Sequence, residues 1–498
     1  MTQNIHNSQS TIHNSQLSPP NILWICTDQQ RYDTIAALGN RHVSTPNIDR
    51  LVAEGVTFSH AYCQSPICTP SRASFLTGFY PSTVHINGNG LDTFPDHPPL
   101  VTRLLADEGY DCGLIGKLHL TSAYKRIERR VDDGYRYWQY SHAPRDDWPQ
   151  GHNYADWVRQ KGFILGELTQ NVDGVPAELH QTTWCAEKTI DFIRQPHNGP
   201  WLASVNIYDP HPPFNPPKAY RDMFDPGSMP GALFRHSDLE QQRKLEGVDF
   251  QSKVHTPDDL DIKHPVIPGS PAPGPRPENL GERDAKILQA AYYAMIKLVD
   301  DQLGRILAAL EETGQRDNTV IIFMSDHGEM LGDHGLIQKG CRFYEGLVRV
   351  PLIASWPGRF EAGLRSDALV ELTDIAPTLL ELAGQPVPQR MQGRSLLPIL
   401  TGQADPAHHR DFVRCEYYDA LAQPDASFAT MYRDARYKLV VYHGHNLGEL
   451  YDLENDPGEF DNLWDDPAHQ TLKLDLIQRS FDASMLAMDR GPRRIGPL

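Results

Sequence analysis

Cys68-Thr-Pro-Ser-Arg72-Ala-Ser-Phe-Leu76-Thr77-Gly78 is the stretch on which the reading of this chain turns. A cysteine is followed at fixed offsets by proline, serine and arginine, and then by Leu-Thr-Gly. A lone cysteine ahead of a helix is ordinarily a buried packing residue. A chance Cys-x-Pro-Ser-Arg is expected in roughly one chain in several hundred of average composition, and the added Leu76-Thr77-Gly78 makes coincidence far rarer. The run from Ser71 to Thr77 has helical character, with Gly78 at its end. That sets Cys68 at a helix N-terminus, where backbone N–H groups favour an anion.

Outward from this stretch, short apolar runs end in polar or charged residues. Asn21–Thr27 predicts a buried strand that stops at Asp28-Gln29, and Thr319–Ser325 another that stops at Asp326-His327, with Lys339 shortly after. Cys112–Gly116 runs into Lys117-Leu-His119, and Trp201–Tyr208 into Asp209-Pro-His211, which flanking prolines hold on a stiff loop. Taken singly these have plain readings: a turn aspartate, a surface lysine, a turn histidine. In open parallel α/β sheets, however, ligands gather at the carboxyl ends of strands. Two such endings about 300 residues apart look like the halves of a metal site.

Helical spacing or stop signals predict helices over 46–54, 100–109, 184–194, 283–312 and 374–383. The expected fold is therefore α/β, a large mixed, mostly parallel sheet sandwiched by helices. Residues 120–180 and 225–283 show no clean period and are expected to be insertions that shape a substrate pocket. The expected division is a catalytic domain over 20–385, a Pro- and Gly-rich linker over 386–410, and a C-terminal subdomain over 411–498. In the last, short alternating segments and a helix from about 470 predict a small antiparallel sheet plus helix.

A formal net charge of −18 over 498 residues argues against binding to nucleic acid or an anionic membrane surface. An anionic substrate then needs a local positive cluster. No apolar run is long enough to cross a bilayer. Residues 1–19 carry Ile-His-Asn-Ser-Gln twice and lack a basic start and an apolar middle. They read as a disordered tail, with the cytoplasm as the expected compartment, or the periplasm had a signal been trimmed. The seven cysteines stand at no metal-ligand spacing and fit reduced thiols.

The signature resembles that of the sulfatases, members of the alkaline phosphatase superfamily, and the likeness runs from about residue 20 to the end. Its specific motifs all precede residue 340. The resemblance implies an alkaline phosphatase-like fold and oxidation of Cys68 to formylglycine, the nucleophile of that family, by a formylglycine-generating enzyme. It implies one divalent metal held by Asp28, Gln29, Asp326, His327 and position 68. Calcium is the first expectation, with manganese or magnesium as alternatives, and the nitrogen of His327 leaves manganese more open. Arg72, Lys117, His119, His211 and Lys339 match catalytic elements, and Asn89 an asparagine near the sulfate group in some branches. Gln29 and His327 depart from the commoner Asp-Asp and Asp-Asn pairs. Both variants occur in branches such as choline sulfatases and phosphonate monoester hydrolases. The implied reaction is hydrolysis of a small-molecule or sugar sulfate ester, with a homo-oligomer left open. The alternatives are a phosphonate monoester or phosphodiester hydrolase of the same superfamily, and a metal-binding scaffold in which Cys68 stays a thiol.

Overall fold

The computed structural model describes residues 19–488 except 125, 146–149, 172, 249–254, 261–283 and 422–426. Apart from Pro19 the tail expected over 1–19 lies outside the described residues, as does much of the 225–283 insertion.

The central strands are apolar on both faces. In β1 (Asn21–Thr27), Ile22, Trp24 and Cys26 join one apolar cluster while Leu23 and Ile25 join another. In β6 (Thr319–Ser325), Val320, Ile322 and Met324 likewise oppose Ile321 and Phe323. Strand side chains alternate between faces, so an unbroken apolar run is what a sheet covered on both sides requires. The remaining strands are β2 (Val56–Tyr62), β3 (Asp111–Gly116), β4 (Tyr137–Tyr140), β5 (Trp201–Ile207), β7 (Arg349–Val350), β8 (Leu352–Ser355) and β9 (Leu364–Glu371). They complete a nine-stranded sheet ordered β4-β3-β5-β1-β6-β8-β2, with β7 and β9 also paired to β2. Among the described residues only β7 and β8 run against their neighbours in this sheet. The mixed, mostly parallel sheet expected from the sequence is present.

Helices cover both faces. Val299, Leu303, Ile306 and Leu310 of the long helix Ala285–Glu312 pack on one side with helices Pro46–Glu54 and Gln181–Ile193. Helices Cys68–Thr77 and Ile375–Leu382 pack on the other. A second sheet, β10 (Val413–Tyr418), β11 (Phe428–Arg433), β12 (Tyr437–Tyr442) and β13 (Leu447–Asp452), is an antiparallel meander. Its Cys415, Met431 and Val440 join the main apolar cluster. Tyr432, Leu439 and Leu450 meet Leu476 and Ala483 of the last helix, Gln470–Leu486.

Within the stretch of linker composition, Leu396, Ile399 and Leu400 are buried in the main cluster, around a short helix at Leu397–Leu400. No helix of the described residues is long and apolar enough to cross a membrane. All seven cysteines are free and buried. Because β1, β2, β3, β5 and β6 run the same way, the segments that follow them all emerge along one edge of the sheet.

Candidate active site

The signature helix begins at Cys68 itself. Pro70 is tolerated because first-turn N–H groups have no intrahelical acceptor. The turn ends at Gly78 with φ +77°, where an added Cβ would fall 2.6 Å from Met391. The motif's polar residues explain its wording. Ser71 Oγ donates to the Asp326 carbonyl at 2.6 Å, and Arg72 Nε donates to Asp326 Oδ2 at 2.9 Å. Arg72 also donates to the Lys117 carbonyl (3.0 Å) and Asn206 Oδ1 (3.1 Å), and lies 3.5 Å from Asp28 Oδ2. One buried guanidinium thus ties together the segments that follow β1, β3 and β6.

Cys68 Sγ lies 3.1 Å from His327 Nε2, 3.6 Å from Asp28 Oδ1 and 2.7 Å from Lys339 Nζ, with Lys117 Nζ at 4.0 Å. Lys117 Nζ donates to Asp28 Oδ2. Asp28, Cys68, Asp326 and His327 each bring one ligand atom into a group whose members all lie within 4.8 Å of one another. His327 Nδ1 donates to the Gly328 carbonyl at 2.9 Å, so Nε2 is the nitrogen that faces Cys68 and would meet a cation. Gln29, fully buried, carries an amide oxygen with no hydrogen-bond partner among the described residues. An orphaned buried oxygen is costly unless something takes it up. Two carboxylates, an imidazole nitrogen and a sulfur-bearing side chain, with this amide on the residue next to Asp28, suit a divalent cation.

Electrostatics follow from this crowding. Burial lifts the Asp28 carboxyl, but Lys117, His211, Arg72 and Lys339 outweigh it and hold the group well below the usual carboxylate range. Burial and Asp28 raise the Cys68 thiol, yet Lys117, Lys339 and His327 leave it below its ordinary value. Burial lowers His327, and the Asp326 carboxylate more than reverses this, to about 9. Burial, helped by the nearby lysines, holds His119 and His211 well below the ordinary imidazole value. So a chain of net charge −18 carries at this edge the local positive cluster that an anion requires.

The other expected residues sit further out. His211 Nδ1 donates to the Pro212 carbonyl at 2.6 Å, and its ring lies 4.6 Å from that of Tyr208. His119, at φ +59°, packs edge-on against His142 at 4.6 Å between centroids. Its backbone N–H, with those of Leu120 and Thr121, donates to the buried Glu128 carboxylate. Asn89 Oδ1 accepts from the Thr69 N–H at 3.0 Å, so its carbonyl end caps the signature helix. Sequence reasoning missed Glu128, Asn206, Tyr292 and Glu329. Tyr292 accepts from the Arg31 N–H and donates to the Gln29 carbonyl, and Glu329 accepts from the Gln29 amide. None of the four carries a local motif.

A family model described as Sulfatase matches residues 20–385, and one described as N-sulphoglucosamine sulphohydrolase, C-terminal, matches residues 332–484. An arylsulfatase of Clostridium perfringens is 29% identical over 465 residues, covering 89% of this chain and 90% of its own. A multifunctional alkaline phosphatase superfamily protein, PehA of Trinickia caryophylli, is 31% identical over 516 residues, covering 94% and 96%. The crystal structure of a phosphonate monoester hydrolase from Agrobacterium radiobacter superposes with a TM-score of 0.76 at 26% identity, covering 95% of this chain and 96% of that one. With its signature cysteine facing a buried acid–imidazole cluster and a family match over most of its length, the chain belongs to the sulfatase family of the alkaline phosphatase superfamily.

Proposed function

We propose that this sulfuric ester hydrolase cleaves sulfate monoesters to an alcohol and inorganic sulfate, with the sulfate group seated over position 68. One observation chiefly supports the reading. The Cys68 side chain lies among Asp28, Asp326 and His327, with Lys339 and Lys117 beside it, on a chain the sulfatase model matches over 20–385. Asp28, Gln29, Asp326 and His327 would hold a divalent cation, calcium first and manganese or magnesium next, which would offset the anion's charge. Oxidised to formylglycine by a maturation enzyme, position 68 would supply a hydrated aldehyde as the nucleophile.

The chain's own residues do the rest. Lys117 and Lys339 neutralise the sulfate and the charge that develops on transfer. Arg72 is buried behind the acids, so we assign it to holding Asp28 and Asp326 in register. Its Nδ1–H being given to Pro212, His211 takes up and returns a proton at Nε2. A bound anion raises its proton affinity, which fits it to protonate the leaving oxygen, with Lys339 as the second candidate. His119 assists release of sulfate, and Asn89 Nδ2 faces the anion while its oxygen caps the helix.

A phosphonate or phosphodiester hydrolase is the second reading. It is favoured by the phosphonate-cleaving structural relative and by the amide and imidazole at positions 29 and 327. Initial rates of matured protein on an aryl sulfate and an aryl phosphonate separate the two. Faster sulfate turnover, lost in Cys68→Ala, is expected. Faster phosphonate turnover would overturn the sulfatase assignment.

A further inference from the structure

A carboxylate offers either oxygen to a cation, but an amide offers only one. Gln29 stands where the family more often has aspartate, so the chain must fix which end of the amide faces the pocket. Its backbone is pinned: φ is +72°, the N–H donates to Asp326 Oδ1 at 3.0 Å, and the carbonyl accepts from Tyr292 at 2.6 Å. Those bonds leave the amide torsion free. Its Nε2 donates to Glu329 Oε2, and its Oε1 has no partner among the described residues. Glu329 is itself immobilised, fully buried, with Oε1 accepting from the N–H groups of Leu331 (3.0 Å) and Gln338.

We propose that Glu329 is a positioning residue that turns the Gln29 amide so that its oxygen, not its nitrogen, faces the cation pocket. This rests on the metal-site reading given above. The loop amides at 331 and 338 occupy one oxygen of Glu329, so in its carboxylate form the other is left to accept. An acceptor there draws the NH2 end of Gln29 to itself and leaves the carbonyl end directed at Asp28 and Asp326, where it adds a ligand without adding charge.

An isosteric change tests this sharply. In Glu329→Gln the loop N–H groups keep the introduced oxygen, so the introduced NH2 faces Gln29. Two donors cannot pair. The Gln29 amide reverses and presents its NH2 to the pocket. In the double variant Gln29→Glu/Glu329→Gln the roles are exchanged: the introduced amide donates, the introduced carboxylate accepts and keeps one oxygen for the cation. Manganese(II) alone, titrated calorimetrically into chelator-stripped full-length protein, is the probe. Glu329→Gln is expected to weaken binding about 10–100-fold, and the double variant to return it to within about threefold of the parent. Urea unfolding of the stripped proteins accompanies each titration. Unchanged binding in Glu329→Gln overturns the proposal, as does a double variant that binds no better than the single. A parent chain that binds no divalent ion overturns the metal-site reading too, so the two failures differ. Should Glu329→Gln not fold, Gln29→Glu alone is compared with the double variant. Weaker binding by the single, whose two carboxylates repel, supports the proposal, and equal binding overturns it.

Discussion

His211 shows what a single residue is asked to do. Burial and the two lysines keep it neutral, and its Nδ1 proton is committed to Pro212. It can therefore act as an acid only once an anion has raised its proton affinity. His211→Gln should then cost most where the leaving alkoxide most needs a proton. We expect kcat/KM to fall about 10²–10⁴-fold for an alkyl sulfate and far less for 4-nitrophenyl sulfate. Equal losses on both esters would remove His211 from the acid role and leave it to Lys339. At this scale much of the site was legible in the sequence. Asp28, Asp326, His327, Lys117 and His211 each follow an apolar run, and the carboxyl end of a strand is where a parallel sheet gathers its ligands. Glu128, Asn206 and Glu329 were not legible. Each acts by hydrogen bonding across the fold or to loop amides, Asn206 on Arg72, Glu128 on a turn with positive φ at His119 and Glu329 between two turns. Such conformations leave little trace in residue type.

Elements with one strong period were read almost to the residue, as with β6 and the long helix Ala285–Glu312, whose Leu298, Ile306 and Leu310 are buried as spaced. Elements lacking a period were not. β4 is four residues of tyrosine, tryptophan and glutamine, and the helix His236–Lys244 is polar but for Leu239. That helix is nonetheless tied to the segment following Asp326-His327. Asp238 Oδ1 lies 3.0 Å from His334 Nδ1, and the His334 ring stacks on Tyr344 at 4.0 Å. Burial lowers His334, but the hydrogen bond and charge of Asp238 more than reverse this, so its folded value is raised. A histidine with a raised folded value lends stability that is complete below its unfolded value of about 6.5. That stability fades as pH rises through the folded value. Asp238→Asn should thus cost about 2 kcal/mol near pH 6, and the gap from the parent should narrow towards pH 9. Urea unfolding at a series of pH values reads the difference. A gap independent of pH would mean that the aspartate acts only by accepting from the Arg235 N–H, at 2.7 Å, where its helix begins.

On the scale of the whole molecule, the question is whether the second sheet is an appendage or part of the same cooperative core. Lys438 of β12 is fully buried and donates from Nζ to the Phe343 carbonyl at 2.9 Å, with Glu345 and Glu459 each at 2.7 Å. Glu345 begins the short helix that leads into β7, accepts from Tyr62 of β2, and gives its own N–H to Glu459. The triad therefore spans the two sheets. Burial lifts Glu345, but Lys438, with Arg349 and Arg433, drives it down to about 2, whereas Glu459 stays raised by burial despite the lysine. Lys438→Met leaves two buried carboxylates facing each other, with only the more distant Arg349 and Arg433 to offset the charge of Glu345. Breaking such a cluster from one side costs about 3–5 kcal/mol. Unpaired buried carboxylates have raised folded values, so the loss should be smaller near pH 5, where protonation relieves them, than near pH 8. Replacing Lys438→Met together with Glu459→Gln should recover part of it, since Glu345 then keeps Arg349 and Arg433 and no second carboxylate faces it. If the sheets form one unit, Lys438→Met shifts a single unfolding transition, seen alike by tryptophan fluorescence and by loss of turnover. A variant that unfolds in two steps, with activity outlasting the first, would instead make the meander a separately folding attachment whose packing through Cys415 and Val440 adds little to the catalytic sheet.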